Sequence, residues 1–147
     1  MRVTSKVRYA VLAMFELASR PDEFVSVASL SERANIPQTF LEQLLLRLKR
    51  AGLTTSRRGP DGGYTLARAA DRIRLSDIYV AVEGPLNLCS NDENDAATPS
   101  HPGETLWRDL EGAILDFLNA VTLEDLLTRN GQRNANPVVA HPYTFSI

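Results

Sequence analysis

A mainly α-helical fold carrying one small two-stranded hairpin is what this sequence predicts, and three observations carry that expectation. The first is a leucine-rich helical run, Thr39 to Leu53, closed by Gly52. The second is Arg57-Arg58-Gly59-Pro60-Asp61-Gly62-Gly63-Tyr64 directly behind it. Proline fixes φ and has no N–H, while glycine accepts φ > 0, so the chain must turn tightly there. The third is that Leu53 to Arg58 and Tyr64 to Ala67 alternate well enough to be short strands. A helix, a hairpin with two arginines at its base and an aromatic exit together describe a winged helix-turn-helix. An ordinary surface hairpin behind an amphipathic helix is the competing reading, and the elements upstream weigh against it.

Ser5 to Arg20 places Val7, Ala10, Val11, Met14, Leu17 and Ala18 on one helical face. Thr4 or Ser5 is expected to cap it, and Pro21-Asp22 to end it. Ser26 is the expected cap of a short helix, Val27 to Ala34, with Leu30 facing in. Asn35-Ile36-Pro37 makes the turn, and Pro37 suits the first position of the next helix. There Leu41, Leu44, Leu45 and Leu48 form the stripe to be buried, while Gln38, Thr39, Glu42, Gln43 and Arg47 face outward. A short helix, a tight turn and a helix with a polar first turn is the arrangement that presents side chains to a DNA groove.

Behind the hairpin, Leu75 to Val82 is expected to be a helix capped at Ser76 and ended by Gly84-Pro85. Residues 1–84 therefore make one expected domain. Residues 85–103 are rich in Asn, Asp, Ser, Pro and Ala and form a loop; loops this long are usually functional or disordered. Glu104 to Val121 resumes a strong helix with Leu106, Leu110, Ile114, Phe117, Leu118 and Val121 in near-heptad spacing. Its seam lies outside the small core and needs a partner, either a second copy of the chain or the chain's own first helix, and both contacts are compatible. Thr122 is expected to cap a last turn, Leu123 to Thr128, leaving 129–147 as a mobile tail.

Charge separates along the chain. Residues 1–74 hold 13 Lys+Arg against 7 Asp+Glu, a net +6, and residues 75–147 hold 3 against 11, a net -8. The basic half, which is also the half with the helix-turn-helix pattern, suits double-stranded DNA. The expected DNA contacts are Gln38, Thr39, Glu42, Gln43 and Arg47 on the recognition helix, with Arg57, Arg58 and the Gly59 amide on the wing. Gln43 matches an adenine edge and Glu42 a cytosine amino group. A winged helix that binds proteins instead of DNA is the alternative of another class. An enzyme is not expected: the two histidines, His101 and His141, fall in loop and tail, and Gly59 to Gly63 lacks the lysine and Ser/Thr of a phosphate-binding loop. No apolar run approaches the ~20 residues of a membrane span. Glu16 and the spaced arginines interrupt any signal-peptide core. The single Cys89 excludes an internal disulfide framework and suits a reducing cytoplasm.

Met1 to Val11, Phe40-Leu41-Glu42-Gln43-Leu44, Arg58 to Tyr64, and Leu106-Trp107-Arg108-Asp109-Leu110 followed by Phe117-Leu118-Asn119 and Val121-Thr122-Leu123 resemble the Rrf2 family of bacterial transcriptional regulators. The resemblance covers roughly residues 1–128. It implies a homodimeric winged-helix repressor or activator on a near-palindromic operator, paired through the long helix with the first helix also at the interface. It further implies a sensory loop before that helix, where many members hold an iron–sulfur cluster through three cysteines. Aligned on Trp107, the first such position is Cys89, the second Asp95 and the third His101, while a nearby histidine position is Glu104. The chain departs from the pattern here, since one thiolate is a poor ligand set for a cluster. No cofactor is therefore expected. The alternatives are a metal ion or cluster using Cys89 with Asp95, His101 and Glu104, or a redox-responsive Cys89 thiol.

Overall fold

The computed structural model describes residues 3–88 and 102–135. Six helices and one hairpin follow in the order α1 (Ser5–Ala18), α2 (Val27–Ala34), α3 (Gln38–Arg50), β1 (Thr54–Arg57), β2 (Gly63–Leu66), α4 (Leu75–Glu83), α5 (Pro102–Ala120) and α6 (Leu123–Ala135). The fold is the mainly α winged helix-turn-helix expected.

α1 is the hub. The Thr4 hydroxyl caps it by accepting from the Val7 N–H at 3.5 Å, and donates to the Glu83 carboxylate at the end of α4. Ala10, Ala13, Met14 and Leu17 are buried on its inner face. The helix packs against α2, α3, α4, α6 and β2. Small residues at 10 and 13 let neighbouring backbones come close, and Met14 fills the irregular space beside them.

The helix-turn-helix follows its capping chemistry. The Ser26 hydroxyl accepts from the Ser29 N–H at 3.2 Å, and Asn35 ends α2 in the left-handed region at φ 52°. Asparagine tolerates that conformation better than other non-glycine residues. Ile36 then turns into the core, tied on both sides to Ser31 through its own N–H at 3.1 Å and its carbonyl at 2.5 Å. Pro37 occupies the N-cap of α3 rather than its first helical position. Leu41, Leu44, Leu45 and Leu48 are all buried, and Gly52, at φ +74°, stops the helix.

The wing is anchored more firmly than a free hairpin. β1 and β2 pair antiparallel from Thr54↔Leu66 to Arg57↔Gly63. A third segment joins them, because Val25 and Tyr64 exchange both backbone hydrogen bonds at 2.8 Å. Gly63 makes that approach possible: at φ +147°, a Cβ there would sit 2.2 Å from the Val25 carbonyl oxygen.

The C-terminal elements differ from expectation in three places. α4 begins at Leu75 as expected, but its N-cap is Arg74 and not Ser76: the Asp77 carboxylate accepts from the Arg74 N–H at 2.9 Å and supplies the capping bond. α5 already starts at Pro102. α6 runs through Gly131 to Ala135 instead of closing after one turn at Thr128. Thr122 does cap α6: its N–H donates to Asp125 at 2.9 Å, and its hydroxyl accepts from the Asp125 N–H at 3.2 Å. The turn between α5 and α6 is stitched to the root of α4, by Leu75 N–H to Val121 carbonyl and Leu123 N–H to Ile73 carbonyl, both at 2.9 Å. Among the described residues no helix is long and apolar enough to cross a membrane.

Candidate nucleic-acid interface

Burying the four leucines of α3 decides which side of that helix is left outside. Gln38, Thr39, Glu42 and Gln43 are all exposed on its first turns, and the Gln38 amide leans on the Glu42 carboxylate at 3.4 Å. Pro37 makes no side-chain cap, so the positive end of α3 lacks an internal side-chain acceptor and favours an anion such as a backbone phosphate. The other end is fixed from two directions. The Arg47 guanidinium donates to the Val82 carbonyl at 3.0 Å, and the Lys49 ammonium donates to the Ser56 hydroxyl on β1 at 2.7 Å. Helix and wing are thereby held in one orientation.

Within the wing the two arginines do different things. Arg57 stacks over the Phe24 ring at 4.2 Å from its centroid and donates to the Asp61 carbonyl at 2.9 Å, so it braces the turn against the segment before α2. Arg58 is exposed and has no hydrogen-bond or ion-pair partner among the described residues. Gly59 beside it is exposed at φ +109°, and its carbonyl accepts from the Gly62 N–H at 2.9 Å. The structure thus gathers Gln38, Thr39, Glu42 and Gln43 on one free edge and leaves Arg58 and Gly59 at the wing tip. Arg47 and Arg57, expected beside them, are engaged by the protein itself. Phe24 and Val25 were not foreseen: they follow the turn at Pro21-Asp22, and only their meeting with the wing shows their part. An aromatic and a β-branched residue side by side after that turn is the available signal.

On α5, Leu106, Leu110 and Phe117 are 59%, 42% and 44% exposed. Ile114 and Leu118 are half-buried over an apolar groove of about 430 Å³ that also takes in Val7, Leu12 and Tyr79 from α1 and α4. Val121 behaves differently from the rest of the expected seam, being buried at 5% exposure in the turn stitched to α4.

The family described as "Rrf2: Iron-dependent Transcriptional regulator" matches residues 3–129. This chain belongs to the Rrf2 family. The HTH-type transcriptional regulator IscR of Erwinia tasmaniensis is 39% identical to it over 152 residues, covering 97% of this chain and 92% of that protein. IscR of Pectobacterium carotovorum is 42% identical over 130 residues, covering 86% and 79%. Among solved structures, T. potens IscR has a TM-score of 0.74 at 32% identity, covering 99% of this chain and 97% of that one. CymR, the global cysteine regulator of B. subtilis, has a TM-score of 0.73 at 32% identity, covering 88% and 98%. As an Rrf2 member the chain is a DNA-binding transcriptional regulator, not an enzyme.

The family description names iron, and the donor set of this chain departs from what a three-cysteine cluster needs. The Rrf2-matched span holds one cysteine, Cys89, so three thiolates from one chain do not fit. Cys89, Asp95 and His101 lie outside the described residues, as does the side chain of Glu104. Among the described residues no three His, Cys, Asp or Glu side chains converge as a metal site.

Proposed function

We propose that this chain acts as a cytoplasmic homodimer that reads a near-palindromic operator, one recognition helix in each of two major-groove half-sites about a helical turn apart. The observation that carries the DNA reading is the free polar edge of α3 beside an unpartnered wing arginine. Gln43 and Glu42 face base edges, with Gln38 and Thr39 alongside. Arg58 and the Gly59 amide hold phosphates or enter the minor groove. Arg47 and Arg57 set the pose of helix and wing. The line Leu106, Leu110, Phe117 supports pairing through α5, because a monomer would leave those apolar surfaces in water. Ile114 and Leu118, over the groove against α1, extend that seam.

Selection of bound fragments from genomic DNA at two salt concentrations, together with the solution mass, tests the reading. A dimer that enriches a palindromic site with steep salt dependence is expected. A monomer would reject the pairing, and salt-independent or absent DNA binding would favour a protein-binding winged helix.

The sensory reading follows from the single thiolate. DNA binding in this proposal does not depend on a cysteine-rich cluster, and Cys89→Ser keeps its operator affinity. Protein purified without oxygen is expected to lack visible absorbance. The family's iron-dependent description supports a second reading, in which Cys89, Asp95, His101 and Glu104 supply a mixed donor set. Stoichiometric iron and sulfide that disappear in Cys89→Ser would establish it and overturn the first.

A further inference from the structure

Behind the recognition helix lies a cleft used by neither the DNA edge nor the apolar seam. It opens where the end of α3, α4 and the C-terminal part of α5 meet, and spans about 670 Å³. Arg47, Arg50 and Arg68 line it together with Ser76, Asn119 and the apolar Leu53, Val80 and Leu115. Its one acidic lining residue among the described residues, Asp77, is already engaged, accepting from the Arg74 N–H at 2.9 Å. Three arginines thus line the cleft beside one occupied carboxylate.

Two of these arginines are held without being neutralised. Arg47 donates to the Val82 carbonyl at 3.0 Å, and the Arg68 Nε donates to the Gly52 carbonyl at 3.4 Å, which leaves the Arg68 Nη groups available. Among the described residues neither Arg50 nor Arg68 has an ion-pair partner. Position separates the cleft from the DNA edge. Arg50 stands at the far end of α3, about 18 Å along the axis from Gln38 at 1.5 Å per residue. Gly52 and Arg68 flank the strand root at Thr54↔Leu66, opposite the wing tip.

We propose that this cleft binds a small multivalent anion, a phosphate or phosphate ester, clasped between Arg50 and Arg68. The planar guanidinium fork matches phosphate oxygens two at a time. The Ser76 hydroxyl and the Asn119 amide supply further donors. Because the lining comes from α3, α4 and α5 together, the occupant touches both the DNA-reading helix and the pairing helix; that consequence rests on the dimer reading above, whereas the site itself does not.

The test is binding alone, without DNA, so its failure leaves the DNA reading intact. Pyrophosphate is titrated into the full-length chain at constant ionic strength while the arginine Nε–Hε resonances are followed by NMR. Saturable shifts at Arg50 and Arg68, with one site per chain, are expected. The double variant Arg50→Gln, Arg68→Gln should bind at least tenfold more weakly, and Arg58→Ala should bind like the parent. Shifts spread without saturation over all exposed arginines, unchanged affinity in the double variant, or loss of binding in Arg58→Ala would each overturn the site. Should the double variant not fold, the parent resonances decide. Glycerol 3-phosphate binding more tightly than inorganic phosphate assigns an ester, and the reverse order assigns the free ion.

Discussion

α3 and α5 are both leucine-rich amphipathic helices, yet they end in opposite circumstances. The stripe of α3, from Leu41 to Leu48, is buried by α1, α4 and β1 of the same chain. Among the described residues the stripe of α5 packs chiefly on α4, and it leaves Leu106, Leu110 and Phe117 in the open. The sequence pattern is nearly the same in the two helices. What differs is how many elements the topology brings to each face. Apolar periodicity therefore shows that a helix has a face to cover, while only the fold shows whether the chain itself covers it.

That contrast can be broken from either side. The largest effect is expected at the finished face: Leu45→Ala removes a wholly buried side chain and should lower stability by about 2–5 kcal/mol. Thermal melts should show it at every protein concentration. At the open face, Leu110→Lys with Ile114→Lys should weaken pairing by several kcal/mol, on the order of values for unpaired buried charge, with the helical content of the monomer retained. Sizing that still gives an unchanged dimer would assign the seam elsewhere.

Smaller effects sharpen the DNA side of α3. Glu42→Ala should alter base preference by about 1–3 kcal/mol at one position per half-site. Arg58→Ala should instead weaken all sequences alike and reduce the salt slope by about one per chain. Equal responses of operator and random DNA to both changes, measured at two salt concentrations, would remove these assignments. The smallest effect belongs to the turn below α5. Hydrogen bonds from the Thr122 backbone N–H and then its hydroxyl, with Arg129 nearby, hold the Asp125 carboxyl below the usual carboxylate range. A depressed folded pKa contributes stability that is present above the unfolded value of about 3.9 and lost as pH falls through the folded one. Asp125→Asn should therefore melt slightly earlier than the parent at neutral pH and converge with it in acid.

Most element boundaries in the first sixty-six residues were legible because their signals are local, Pro37 apart. Ser26 and Asn35 bound α2, Gly52 stops α3, and the glycine-rich turn can be nothing but a turn. The misreadings farther along come from longer-range causes. Serine is a common cap, so Ser76 looked like the start of α4, but the backbone fits better with Asp77 reaching back to Arg74. Asn130-Gly131 looked like a stop, yet an exposed glycine costs a helix only about 1 kcal/mol and α6 continues through it. Val121 fits a heptad as well as Leu118 does, and only its backbone bond with Leu75 shows that its own chain buries it. Of the proposed DNA edge, the exposed polar residues of α3 were readable from periodicity. The engagement of Arg57 by Phe24 was not, because 33 positions separate them in the sequence.

The stitch between the α5–α6 turn and the root of α4 has a consequence for modularity. Leu123 is completely buried in the core that α1 organises, although it follows the long helix in the chain. The proposed DNA-reading part is therefore completed by residues that come after the helix proposed to pair. An excised fragment ending before residue 121 would leave that core open where Leu123 now sits. A chimera that exchanges α5 between relatives must carry the Val121–Leu127 segment with it or rebuild the packing around Ile73. The helix-turn-helix and the long helix are one inheritable unit, and their spacing drifts only as far as those shared backbone hydrogen bonds allow.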